Sequence, residues 1–332
     1  MKHSCTFCAQ EAVIRIPHRG LKLCKEHFIN YVQTEVENTI SRFSMLDNVR
    51  KLLVTVSGGK DSAVLLHVLK EVCDRKKVKI LALTIDLGIS NYSEECVRKA
   101  SELCKQLGVD HIIVKLSDYG FTIDDVKKFE KKLRRPVCSV CGLVKRYLFN
   151  KIAIEEQCDA IATGHNMVDI CQYILMNILN GNIEYLTKLT PVTEGEEGLI
   201  KRIRPLYFIH EKETRLYAEI LKLPVVDRAC PYSERGTFST RKSKQPLQEY
   251  VRAFLMELDE KYPGTLYYFV ENFLRKTLPS INVRQSQQFR RCKICGLPTT
   301  RDSEICAFCH IVDIVRGLKS GTQHDTCGKA GT

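Results

Sequence analysis

Residues 51–72 read KLLVTVSGGKDSAVLLHVLKEV, and this stretch restricts the fold more than any other part of the chain. Its first part, Lys51–Val56, is an apolar β-rich run of strand length, and Ala63–Val72 carries apolar residues at helical spacing. A strand that turns through two glycines directly into a helix opens a unit of parallel sheet covered by helices. The alternation continues. Val78–Ile85 reads as a second strand, Ser93–Leu107 as a helix, His111–Leu116 as a third strand, and Ala160–Thr163 as a fourth after a helix that follows Cys141. The predicted fold class is therefore α/β, with a mostly parallel sheet and ligands at the carboxyl ends of its strands.

Between strand and helix lies SGGKDS, residues 57–62. Gly58 and Gly59 let the backbone approach an anion, Ser57 and Ser62 offer hydroxyls, and the new helix points its first N–H groups at whatever is bound. With Lys60 and Asp61 beside them, these residues form a candidate phosphate cradle. The spacing is not that of the Walker A loop, G-x-x-x-x-G-K-[ST]. A tight turn without a ligand is the alternative, but a turn alone needs no such set of serines, lysine and aspartate.

The chain has 16 cysteines, and their spacing points to metal. No apolar run approaches the ~20 residues of a membrane helix, and no secretory pattern opens the chain. A cytoplasmic location is expected, where thiols stay reduced and a disulfide framework does not form. Cys5, Cys8, Cys24 and His27 make one four-ligand set at knuckle spacing, and Cys292, Cys295, Cys306 and Cys309 make another. Four protein ligands leave no open position, so both are expected to be structural Zn²⁺ sites. Cys138 and Cys141 form a third close pair, half of a site with no second pair nearby. Cys73, Cys96 and Cys104 read as small core residues, whereas Cys171 adjoins the candidate site segment at 164–169 and is a candidate reactive thiol.

The formal net charge is +12. Seven zinc-bound thiolates and two Zn²⁺ would lower it by three and leave the chain basic. Its cations gather as Lys127, Lys128, Lys131, Lys132, Arg134 and Arg135; Lys201, Arg202 and Arg204; Arg235, Arg241, Lys242 and Lys244; and Arg284, Arg290, Arg291 and Lys293. Any one cluster could be a solvated face, but their number near cysteine segments favours a nucleic-acid partner.

SGGKDS resembles the PP-loop of N-type ATP pyrophosphatases. Within that superfamily the ordered motifs CTFC…LCKEH, LGIS, RRPVCSVCGLVKRY, ATGHN, ACPY, PGT and CKIC…ICAFC resemble the 2-thiouridine-forming tRNA sulfurtransferases, over nearly the whole chain to about Leu318. The resemblance implies a PP-loop core of the adenine nucleotide alpha hydrolase-like, Rossmann-like type with a zinc knuckle at each end. It also implies that Cys138, Cys141 and Cys230 hold a [4Fe-4S] cluster whose fourth iron lacks a protein ligand. Read from the residues alone, a zinc site, a persulfide-carrying cysteine pair and an inert trio remain open.

The implied chemistry is adenylation of a tRNA uridine at its carbon-2 oxygen, then displacement of AMP by sulfur to give 2-thiouridine. ATP, with Mg²⁺, is expected on Ser57–Ser62 and near Gly164, with its adenosine by Thr84 and Ile85. Lys60, Asp169 and Cys141 are the expected catalytic residues. A ubiquitin-like sulfur carrier is the implied partner besides tRNA, and a homodimer is the expected assembly. Where relatives usually read GHNLDDEAQ, this chain reads GHNMVDICQ, so Val168 and Ile170 replace acidic residues and only Asp169 remains. Asp169 also suits a helix cap. His165 is a candidate substrate contact, and His210 is as readily structural. Expected divisions are a knuckle over 1–30, a linking helix over 31–48, the catalytic domain over 49–285, a second knuckle over 286–319 and a disordered tail over 320–332. Two other functions fit parts of the sequence: a PP-loop synthetase acting on a small molecule, and a non-catalytic zinc-dependent RNA-binding protein.

Overall fold

The structure, a computed structural model, describes residues 4–196, 198–232, 247–281, 290–299 and 303–320. The basic residues Arg235, Arg241, Lys242, Lys244 and Arg284, together with the expected tail beyond Ser320, lie outside them. A small hairpin, β1 (Ile14–Ile16) and β2 (Leu21–Leu23), precedes α1 (Lys25–Arg42). The linking helix expected over 31–48 thus starts earlier and carries His27 in its first turn, because Cys24 already serves as its N-cap residue. The core follows as β3 (Lys51–Thr55), α2 (Lys60–Lys76), β4 (Lys79–Asp86), α3 (Ser93–Leu107), β5 (Asp110–Lys115), α4 (Ile123–Lys128), α5 (Glu130–Leu133), α6 (Val137–Glu155), β6 (Ala160–Ala162) and α7 (Met167–Leu179). Then come α8 (Ile183–Leu186), β7 (Val192–Thr193), β8 (Lys201–Ile203), α9 (Glu211–Ile220), α10 (Leu247–Lys261), α11 (Thr265–Asn272), the short strands β9 (Arg290–Arg291) and β10 (Pro298–Thr299), and α12 (Ala307–Ser320).

The six-stranded sheet has the order β5-β4-β3-β6-β8-β7, parallel except for the edge strand β7. Leu52 and Val54 of β3 pack with α1, α2, α3 and α9 on one face, while Leu53 packs with Ile152 and Ala153 of α6 on the other. Both faces of the strand are buried, which is why KLLVT reads as a continuous apolar run and not an alternation. The helix expected to follow Cys141 instead begins at Val137, since Pro136 supplies the extended N-cap, and so it includes the cysteine pair. Its N-terminus lies at the carboxyl edge of the sheet, because a crossover helix runs antiparallel to the strands it joins.

Each terminal cysteine group is fixed to this core by packing. Cys24 and Phe28 lie buried at the start of α1, and Phe28 joins the core beneath α2. At the other end, Phe308 of α12 stacks on Tyr147 of α6 with ring centroids 3.8 Å apart. A third cluster joins α7, α10 and α11 through Val168, Ile170, Leu255 and Leu266.

Helix α9 starts in a capping box, in which His210 Nδ1 accepts from Lys212 N and the Glu213 carboxylate accepts from His210 N at 3.0 Å. Burial pushes the Glu213 carboxyl up to about 8, against the His210 N–H, which favours the charged form. The folded state therefore holds a proton that the unfolded chain releases near pH ~4.3, and stability falls as pH rises from there through about 8. Glu213→Gln keeps the cap and removes that loss. Its urea midpoint is expected to exceed the parent's at pH 8, with the gap closing at pH 5; an equal gap at both pH values would contradict the argument.

Candidate active site

The loop between β3 and α2 is built around a close backbone contact. Gly58 has φ +80, and a Cβ placed there would lie 2.7 Å from the Cα and carbonyl oxygen of Cys96 in α3. Only glycine fits both the left-handed conformation and the gap. The carbonyl of Gly58 accepts from Val226 N at 2.9 Å, and Ser62 Oγ donates to Gly59 O at 2.9 Å while accepting from Ser57 N at 3.0 Å. The loop is thereby held open at the start of α2, with that helix's first N–H groups directed out of it, an arrangement suited to an anion.

Charged side chains from three further segments converge on the loop. Asp61 Oδ1 accepts from Asn166 Nδ2 at 3.1 Å and from Thr214 Oγ1 at 2.6 Å, while its Oδ2 faces Lys60 Nζ at 2.9 Å. Lys60 also reaches Glu211 Oε1 at 3.0 Å. Arg252 of α10 bridges Glu211 and Asp169, the latter at 2.8 Å. Burial raises the Glu211 carboxyl, but Lys60 and Arg252 outweigh it and bring the group down to about 2. Glu211 is thus ionised throughout the neutral range, at the centre of the alternating series Asp61–Lys60–Glu211–Arg252–Asp169.

Asp169 combines two structural tasks here. It is the third residue of the α7 capping box, accepting from Asn166 N at 3.2 Å, and it is the partner of Arg252. Gly164 brings the turn after β6 against the loop, since a Cβ there would lie 3.1 Å from Ser62 N. Val168 and Ile170 are fully buried among apolar residues of α10 and α11, where a carboxylate would be left without a partner. The acidic group that does reach the loop is Glu211, which reads in sequence only as a charge in a helix's first turn.

Cys138 and Cys141 lie in the first turns of α6, at the same edge of the sheet. Residues 225–232, which include Cys230, cross the mouth in contact with each wall: Val226 N donates to Gly58 O, Arg228 pairs with Glu95 at 2.8 Å, Tyr232 OH donates to Asp124 at 2.7 Å, and Cys138 Sγ lies 3.4 Å from Tyr232 O. Cys138 is exposed, and Cys141 and Cys230 are half-buried against an apolar cluster that also contains Cys292 and Cys306. Their thiols do not close into a compact cage: among the described residues, only the two terminal groups bring three or more ligand atoms within 4.8 Å of one another. An open trio of thiols suits a cluster with several metal corners better than one ion.

The terminal groups fit zinc directly. Cys8 and Cys24 sulfurs are 3.8 Å apart, as are those of Cys295 and Cys306, matching the edge of a tetrahedron with ~2.3 Å Zn–S bonds, about 3.8 Å. Nδ1 of His27 completes the first set at 3.3–3.6 Å from the three sulfurs. Backbone N–H groups also point at sulfur, Phe7 at Cys5 and Cys306 at Cys292. Burial raises the Cys5 and Cys292 thiols, but such donors bring each down to about 6, which favours the thiolate a metal needs.

Other expected site residues are placed less directly. Thr84 is buried and its hydroxyl is engaged, donating to Val56 O at 2.7 Å and meeting His111 Nε2 at 2.8 Å, so the half-buried Ile85 is the member of that pair left for a ligand to touch. Cys171 is buried and its thiol is pushed up by that burial, which makes it inert. His210 is the α9 cap described above.

Residues 30–229 match the family described as PP-loop domain, and residues 4–29 match the N-terminal LIM domain of 2-thiouridine synthetase TtuA. The tRNA-5-methyluridine(54) 2-sulfurtransferase of Pyrococcus horikoshii is 40% identical over 306 residues, 92% of each chain. Its counterpart from Thermotoga maritima is 36% identical, covering 96% of this chain and 99% of that one. Among solved structures, the U34-tRNA thiolase NcsA of Methanococcus maripaludis with its [4Fe-4S] cluster superposes with a TM-score of 0.75 at 29% identity, covering 95% and 96% of the two chains.

The tightness at Gly58 gives a direct check. Gly58→Ala must move α3 away or close the loop, and is expected to weaken binding of a non-hydrolysable ATP analogue at least tenfold by calorimetry while zinc content stays unchanged. Unaltered affinity would show that the loop is not the phosphate cradle.

Proposed function

The chain belongs to the family of PP-loop tRNA 2-sulfurtransferases, and from that premise we propose how its own residues adenylate and thiolate a tRNA uridine. The observation that supports the reading is the course of residues 225–232, which brings Tyr232, two residues past Cys230, to the Cys138 thiol and ties the same segment to Gly58 of the phosphate loop. A nucleotide-activating loop and a trio of thiols then share one mouth, as a reaction that activates a base and delivers sulfur to it requires.

ATP is bound with its phosphates on residues 57–62 and its adenosine toward Ile85. Lys60, steered by Glu211 and Asp61, lies where negative charge develops as the uridine carbon-2 oxygen attacks the α-phosphorus and pyrophosphate leaves. Asp169 acts mainly by orienting Arg252, and through it Glu211, so it is a positioning residue in this scheme. Asp61 and Glu211 are the carboxylates of the loop that would hold Mg²⁺ brought with ATP, which would supply further charge stabilisation. Cys138, Cys141 and Cys230 would hold a [4Fe-4S] cluster, which would supply a binding place for sulfide brought from outside, and that sulfide would replace the carbon-2 oxygen as it leaves with AMP. The apolar wall behind Cys141 and Cys230 limits water at the activated base, where hydrolysis would merely restore uridine.

The uridine is taken to be position 54, because the two curated relatives at 40% and 36% identity carry that specificity in their names. A ubiquitin-like sulfur carrier fits the exposed position of Cys138 at the rim. Self-association as a homodimer would cover Leu247, Tyr250 and Phe254, exposed on one side of α10. No helix of the described residues is long and apolar enough to cross a membrane, and every described cysteine is free, which supports a cytoplasmic setting.

The reading is tested on protein purified without oxygen. About four irons and four sulfides per chain beside two zincs are expected, with iron lost and zinc kept in Cys141→Ala. Incubation with ATP, inorganic sulfide and unthiolated tRNA carrying 5-methyluridine at position 54 should release AMP and give a 2-thiolated uridine in a nuclease digest, within the T-loop fragment. Absent iron with a third zinc would overturn the cluster, AMP formed without tRNA would indicate a small-molecule synthetase, and thiolation in the anticodon fragment would reassign the position.

A further inference from the structure

Beside Cys141 the structure gathers four cations that no described carboxylate answers. Lys145 and Arg146 stand on α6, just over one turn beyond Cys141, and Arg202 and Arg204 stand on and just past β8. Arg202 Nη2 donates to the carbonyl oxygen of Arg146 at 3.4 Å, which joins the two elements. Arg204 Nη1 donates to Thr190 O at 2.5 Å and Thr193 Oγ1 at 3.0 Å, leaving the rest of its fork uncommitted to those bonds. Gly142 leaves the room for Arg146 to fold back along the helix, since a Cβ there would lie 3.2 Å from Arg146 Nη1. The nearby Glu194 is on Lys201, at 3.9 Å.

Elsewhere near the mouth, buried cations are matched: Lys60 has Asp61 and Glu211, and Arg252 has Asp169 and Glu211. In this cleft the neighbours of the arginines are one another, Tyr173, Tyr207 and Cys141, and burial with this mutual repulsion lowers Arg202 to about 10. His165, which adjoins Arg202, Arg204 and Lys145 and stacks edge-on against Tyr173, is brought down by burial to about 4 despite Asp169, so it adds no charge of its own at neutral pH. Arg146 is exposed and Arg202 and Arg204 are half-buried, so an anion from solvent can reach all three; like charges held this close repel unless an anion joins them, and planar guanidinium forks match the oxygens of a phosphate. The phosphate loop follows β3, two strands away from β8 and thus about 10 Å from this cleft, so the two anion sites are separate.

We propose that Arg146, Arg202 and Arg204 form a phosphodiester site that grips the RNA backbone next to the uridine being modified, holding its base toward Cys141 and the phosphate loop. This rests on the tRNA reading above and adds to it the residues that fix the register of the RNA. In this position backbone contacts orient the substrate without reading its sequence.

The test uses full-length holoprotein, an unmodified tRNA transcript and a non-hydrolysable ATP analogue. Arg202→Gln and, separately, Arg146→Gln are expected to weaken tRNA roughly fivefold to tenfold at 0.1 M salt and to make the slope of log K against log salt shallower by about 0.7–0.9 per lost phosphate contact, with ATP-analogue affinity and melting temperature unchanged. Arg202→Lys should keep the slope while recovering only part of the affinity, because a single ammonium cannot replace the fork. Weaker ATP-analogue binding with tRNA affinity intact would assign the cleft to the nucleotide's phosphates and overturn the proposal, as would variants indistinguishable from the parent with both ligands. A parent protein that itself fails to bind tRNA would instead overturn the functional reading on which the proposal rests.

Discussion

The carboxylate of Asp61 accepts hydrogen bonds from Asn166 and Thr214 and faces Lys60, and the placement of three segments far apart in sequence depends on it. Asn166 caps α7 through its other amide atom, Oδ1, which accepts from Val168 N and Asp169 N. Thr214 belongs to the first turns of α9. One side chain in the phosphate loop therefore fixes the starts of two helices, and those helices carry Asp169 and Glu211. The glycine at 164 belongs to the same arrangement, because a Cβ there would lie 3.1 Å from Ser62 N and crowd the backbone of the loop.

From that junction the charges are relayed outward. Glu211 is shared between Lys60 and Arg252, and Arg252 extends the relay to α10, whose apolar side packs on α7 and α11. A half-buried network of alternating charges is not a strong source of stability, since desolvation offsets much of the attraction. What it supplies is geometry: removing one member leaves its neighbours buried and unpaired, so the arrangement tolerates few alternatives. Because Lys60 and Arg252 share Glu211, any anion that drew Lys60 away would alter the setting of Arg252 on α10 as well.

The sequence made the parallel core readable because each strand–helix pair is local: the helix over Ser93–Leu107 and the strand beginning near Lys51 agree with the periodicity almost residue for residue. The terminal zinc sets were readable for the same reason, since ligand spacing within a knuckle is a local quantity. Cys230 was different. Its partners lie about ninety residues away, and nothing in its neighbourhood encodes the path of residues 225–232 across the mouth, so only the family resemblance joined it to Cys138 and Cys141. Glu211 and Arg252 left no motif at all, being ordinary surface charges by pattern and buried partners by topology. The apparent loss of acidic residues at Val168 and Ile170 likewise changes meaning in three dimensions, where both positions face an apolar core.

The C-terminal knuckle packs directly behind the thiol trio. Cys292, Cys306 and Cys309 share one apolar cluster with Val140, Val144 and the flanks of Cys141 and Cys230, and the Phe308–Tyr147 stack seats α12 on the helix that presents the cysteine pair. So short a segment has too little core to hold its shape by packing alone, and its fold depends on the metal. The wall behind Cys141 is therefore only as rigid as the zinc site that shapes it. A structural ion in this knuckle would thus bear on the Cys138–Cys141 pair through packing alone, because the segment it shapes forms the apolar wall against which Cys141 and Cys230 lie.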